Sequence, residues 1–155
     1  MENLIPNEDY KDLLSIFHEE GVESLLVGAF AMAGHGYPRA TMDMDVWVNP
    51  APDNAQRVYR ALARFGAPLH ELTLEDLCSD DIVFQIGVAP RRIDILTGLT
   101  ALEFDDAYRR GVKIEAFGVT VKMLSIQDMI ANKKALGRHR DLADVEHLES
   151  LLKES

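Results

Sequence analysis

Two aspartates one residue apart, Asp43 and Asp45, lie in the run ATMDMDVWV at residues 40–48. Read as a strand over 42–48, the run has a period of two, so Asp43, Asp45 and Trp47 share one face. Met44, Val46 and Val48 then share the other. Two carboxylates side by side on a strand repel one another, and a divalent metal ion would relieve that repulsion. The plainer alternative is a solvated edge strand carrying two acids. A second run, RRIDIL at 91–96, repeats the pattern, with Asp94 on the face opposite Ile93 and Ile95. Should the two strands be neighbours, Asp43, Asp45 and Asp94 bring oxygen ligands together on one surface, a set suited to magnesium or manganese. The alternative for Asp94 is a salt bridge to Arg91 or Arg92.

Positive charge is concentrated in Lys133, Lys134, Arg138 and Arg140, the densest basic cluster in a chain of net charge −10. Such side chains either reach phosphate groups or decorate a solvated helix end, where the helix dipole favours them. Arg39 is a further candidate for a phosphate contact, and His35 for lining a pocket. Tyr37 and Trp47 offer rings for a base, although aromatic residues on strands more often belong to a core.

The elements that must hold these residues follow from hydrophobic period and stop signals. Helices are predicted over 9–20, 30–33, 53–65 with Asp53 as cap, 102–109, 125–135 capped by Ser125, and 141–153 capped by Asp141. Strands are predicted over 23–27, 42–48, 82–88, 91–96 and 119–123, with 69–81 irregular or weakly helical. That order describes an α+β domain with a mixed sheet of about four to five strands flanked by helices. Residues 1–155 read as one domain with a C-terminal helical segment at about 125–153.

Composition narrows the function classes. Hydrophobic residues make up 47% of the 155 and charged residues 27%, an ordinary globular balance. The net charge argues against non-specific DNA or RNA binding, which needs a Lys or Arg for each phosphate, while leaving room for a small polyphosphate. One cysteine, Cys78, is expected to pack beside Leu77 and suits a reducing, cytoplasmic setting. No signal peptide and no membrane-spanning apolar run is expected.

The segment Val27-Gly28-Ala29, a short helix, then Thr41-Met42-Asp43-Met44-Asp45-Val46, then Ile93-Asp94-Ile95 resembles the DNA polymerase beta-type nucleotidyltransferase superfamily. The loop GHGYPRAT at 34–41 and the basic stretch at 133–144 are similar to its compact bacterial group. That group includes minimal nucleotidyltransferases, lincosamide- and aminoglycoside-nucleotidylating enzymes, and abortive-infection toxins. The resemblance implies a metal-dependent transfer of a nucleoside monophosphate from an NTP to an acceptor hydroxyl, with Mg2+ or Mn2+ held by Asp43, Asp45 and Asp94. It implies nucleotide contacts from Gly28, Ala29, Arg39, Thr41, Lys133 and Lys134. One departure is visible: the family commonly has Gly-Gly or Gly-Ser where this chain has Gly28-Ala29. The acceptor would be a small molecule, RNA or protein, with a partner protein or a homodimer completing the pocket. The alternative is a toxin–antitoxin component that acts mainly by binding its partner.

Overall fold

The computed structural model describes residues 7–37, 43–88 and 91–154. The chain runs α1 (Asn7–Glu19), β1 (Ser24–Val27), α2 (Gly28–Gly34), β2 (Asp43–Val48), α3 (Pro52–Phe65), α4 (Leu74–Cys78) and β3 (Val83–Val88). It continues through β4 (Arg91–Leu96), α5 (Phe104–Arg110), β5 (Val112–Ala116), β6 (Val119–Met123), α6 (Ile126–Leu136) and α7 (His139–Glu154). The strands form one mixed sheet in the order β3-β4-β2-β1-β6-β5. Strands β2 and β4 are parallel, as are β1 and β6; the other neighbours are antiparallel.

The period-two reading of β2 holds. Met44, Val46 and Val48, with Ile93 and Ile95 of β4, are buried in the core. Helices α1 and α3, which also pack on one another, supply Tyr10, Leu13, Leu14, Phe17, Val58 and Leu62 to that core. Their spacing at three and four residues makes one apolar stripe on each helix. On the opposite face of β2 the polarity changes along the strand. Asp43 and Asp45 stand at its start, whereas Trp47 is buried edge-on against Phe104, 5.1 Å between ring centroids. The core role of Trp47 therefore prevails over base stacking.

Helix starts differ from expectation in an instructive way. Helix α3 begins at Pro52, so Asp53 lies in its first turn instead of capping it. Asn54 does the anchoring: it accepts from the Glu23 backbone N–H at 2.8 Å and donates to the carbonyls of Glu23 and Asn49. Ser125 caps α6 as predicted, accepting the Asp128 N–H at 3.1 Å. Helix α7 begins at His139, with Asp141 inside its first turn and accepting the Arg138 N–H at 3.2 Å. Residues 69–81 contain the short α4, fixed by a Thr73–Asp76 capping box. Cys78, expected beside the core, is exposed. No described helix is long and apolar enough to cross a membrane.

The sheet has a sixth strand, β5, beyond the four to five expected. It pairs with β6 through the two-residue turn Phe117-Gly118, with φ of 54° and 78°. Both positive angles match the turn that suits a twisted hairpin, but phenylalanine is a poor resident of that region. Its ring offsets the strain by meeting Tyr10 and Phe30 edge-on, at 5.5 and 5.6 Å. Relief of left-handed strain is worth about 1–2 kcal/mol. Two edge-to-face contacts give about 0.5–1.5 kcal/mol each, with apolar burial added. Phe117→Asn is therefore expected to lose about 1–2 kcal/mol net, read as a lower urea midpoint; a higher midpoint would mean that strain dominates.

Candidate active site

The parallel register between β2 and β4 sets Asp45 opposite Asp94 and Asp43 opposite Arg92. Neighbours in register share a face, so three carboxylates and one guanidinium form a square on the sheet. Asp94 is buried, with 6% of its surface exposed. Arg92 donates to both of its oxygens, Nε to Oδ1 at 2.8 Å and Nη2 to Oδ2 at 3.1 Å. The same Nη2 lies 3.2 Å from Asp43 Oδ2. Asp45 is pushed up to about 7: burial is the largest cause, followed by a hydrogen bond with Asp94 and the charges of Asp94 and Asp43, with Arg92 opposing. Two carboxylates in contact cannot both ionise easily, and Asp45 is the one whose proton is held more tightly.

Gly28 forms the next wall. It opens α2 at φ 68°, and a Cβ there would collide with Asp45 Oδ2 and lie 3.1 Å from its Cγ. Glycine is required twice over, by conformation and by the approach of Asp45. Gly28 and Asp45 line a cleft of about 220 Å³ together with Leu99, Asn132, Lys133 and Arg138. A larger groove of about 380 Å³, lined by Phe17, His18, Tyr108 and Lys122 among others, includes none of these residues.

Lys133 is held in the cleft by buried acids. Its Nζ lies 3.0 Å from Asp144 and 3.7 Å from Asp141, which are 5% and 1% exposed. Arg138 pairs with Asp141, and its guanidinium holds that carboxyl below the usual range. Tyr37 donates to Asp144 at 3.2 Å and stacks on His147. Asp144 thus faces Tyr37 and Lys133.

Among solved structures, the chain is similar to the lincosamide antibiotic adenylyltransferase LnuA in its lincomycin-bound form. The TM-score is 0.59 at 12% identity, over 96% of this chain and 99% of that one. It is also similar to a candidate nucleotidyltransferase from Thermotoga maritima, with a TM-score of 0.56 at 15% identity, over 94% of this chain and 91% of that one. No family model and no curated protein matches the chain by sequence. The chain has a nucleotidyltransferase-like fold. At identities this low the likeness concerns the fold alone.

Within this nucleotidyltransferase-like fold the residues picked from sequence fall into three groups. Asp43, Asp45, Asp94, Gly28 and Lys133 are brought to one region. Ala29 follows Gly28 in the first turn of α2. Lys134 is exposed and pairs with Glu149 at 3.3 Å, and it does not line the cleft. Arg39 and Thr41 lie outside the described residues. His35 is engaged at 2.7 Å with the Leu124 carbonyl, tying the end of α2 to the end of β6. Sequence reasoning gave little weight to Arg92, whose position two residues before Asp94 put it on the same face.

The donor set fits a hard divalent cation in kind: three carboxylates face one side of two paired strands, and burial together with the neighbouring carboxylates raises the proton affinity of Asp45. In the arrangement seen, Arg92 supplies the neutralising charge, and no three His, Cys, Asp or Glu side chains among the described residues are set to hold an ion.

Two outcomes follow. Gly28→Ala is expected to lower the melting temperature by several degrees, since both the positive φ and Asp45 oppose the methyl group; an unchanged value would mean that Asp45 yields freely. For Asp45, the folded value near 7 exceeds the ordinary 3.8, so the folded state binds the extra proton between those values. Stability from this group is full below about 3.8 and is lost as the pH rises through 7. Asp45→Asn should flatten that slope and stabilise the protein by about 1 kcal/mol or more at pH 8, measured as melting temperature against pH for both proteins.

Proposed function

We propose that this protein transfers a nucleoside monophosphate from a nucleoside triphosphate to an acceptor hydroxyl, with release of pyrophosphate. The observation that carries the reading is the β2–β4 register. It sets Asp45 against Asp94, with Asp43 on the same face, beside a cleft walled by Gly28 and Lys133. The nucleotidyltransferase-like fold supports the same conclusion.

Asp43, Asp45 and Asp94 would hold Mg2+ or Mn2+. When bound, such ions neutralise phosphate charge and lower the pKa of an attacking oxygen. The remaining work belongs to the chain. Asp94 would accept the proton of the acceptor hydroxyl as that oxygen attacks the α-phosphorus in line and pyrophosphate leaves. Lys133, with its ammonium fixed by Asp144 and Asp141, brings a positive charge to the triphosphate side of the cleft. Gly28 brings backbone close to Asp45, and the N–H groups of Gly28 and Ala29 lie at the start of a helix, where anions are favoured. Arg39 and Thr41, in the segment leading into β2, are assigned to the nucleotide as well. Catalysis of this kind rests mainly on positioning and charge. The acceptor is a small molecule, an RNA end or a protein side chain.

The test is transfer of label from each α-labelled NTP, with magnesium or manganese, to a panel of lysate, bulk tRNA and antibiotics. Metal-dependent labelling is expected, and the Asp43→Asn, Asp45→Asn double variant should abolish it. Lys133→Ala should cost about tenfold or more in rate, while Lys134→Ala stays within about twofold of wild type. Equal labelling by the double variant would overturn the assignment.

A further inference from the structure

Arg92 is bound more tightly into the site than its sequence position suggests. It faces the same side as Asp94 on β4 and sits in register with Asp43 on β2. One planar cation thereby ties two of the three carboxylates together, with a two-point contact to Asp94 and a 3.2 Å contact to Asp43. The fork is partly shielded, its side chain 27% exposed against 9% for that of Asp94. A guanidinium keeps its charge at any ordinary pH and suits carboxylate and phosphate oxygens alike.

We propose that Arg92 is an internal counter-ion that competes with the divalent metal for Asp43 and Asp94 and is displaced when metal and nucleotide bind together. The identity of the competing cation rests on the nucleotidyl-transfer reading. Without a counter-charge, three carboxylates on one face would repel each other across the pairing that joins β2 to β4. Arg92 offsets part of that repulsion, and the same contacts occupy oxygens that a metal ion needs. An incoming triphosphate changes the balance, because its oxygens give the released guanidinium a new partner. Metal and nucleotide should therefore bind with positive coupling, and each should bind weakly alone.

Arg92 acts here as a positioning residue, so the test reads metal binding and not turnover. Mn2+ is titrated calorimetrically, and by the electron paramagnetic resonance of free Mn2+, into wild type, Arg92→Gln, Arg92→Lys and Asp45→Asn. Each titration is run with and without a non-hydrolysable ATP analogue. Arg92→Gln should bind Mn2+ about tenfold tighter than wild type without nucleotide, and the analogue should tighten Mn2+ binding less than in wild type. Arg92→Lys, which keeps the charge but loses the fork, should fall between them, and it decides the matter if Arg92→Gln does not fold. Equal or weaker Mn2+ binding by the Arg92 variants, with wild-type binding that Asp45→Asn abolishes, overturns the counter-ion alone. Absence of Mn2+ binding in every protein, with or without the analogue, overturns the counter-ion and the metal-dependent transfer together.

Discussion

The parallel pairing of β2 with β4 is the constraint on which the site depends. Their register brings Asp45 to Asp94 and Asp43 to Arg92 on one face, while Met44, Val46, Ile93 and Ile95 fill the core on the other. A slip of one residue would turn the carboxylates into the apolar layer and the apolar residues into the cleft. Burial of those apolar side chains thus holds the charged square in place. The desolvation of Asp45 and its repulsion by Asp94 and Asp43, which together raise its proton affinity, are set against that burial.

A second set of charges works by a different route. Asp141 and Asp144 are buried on α7, where each finds a cation: Arg138 and Lys133 for Asp141, Lys133 for Asp144. Buried carboxylates are costly without such partners. The pairing locks α7 to α6 and aims Lys133 toward the region of Asp45 and Gly28. In a chain of net charge −10, this network keeps one lysine beside the cleft instead of leaving it in solvent.

Much of this was legible from residue types. Alternation gives the two faces of β2 and β4, and the family resemblance points to Gly28 without knowledge of its contact with Asp45. The Ser125 cap was equally plain. Strand β5 was missed because its turn is Phe117-Gly118, and phenylalanine carries no turn signal; its place is held by Tyr10 and Phe30, which come from α1 and α2. Local rules favour acids at helix starts and so point to Asp53 and Asp141 as caps, yet both helices begin before them.

The family resemblance pointed to Gly28 and Lys133; local pattern determined the α+β order of elements, the side of each strand that carries acid, and the candidates Asp43, Asp45 and Asp94. These depend on period and on side-chain chemistry, which the sequence states directly. Only the tertiary structure decided that Asp45 meets Asp94, that Trp47 belongs to the core, and that Lys133 lines the cleft while Lys134 pairs outward with Glu149. It also decided that Arg92 bridges Asp43 and Asp94. Each of these turns on which distant segment is the neighbour, and that is settled by how the whole sheet buries its apolar face.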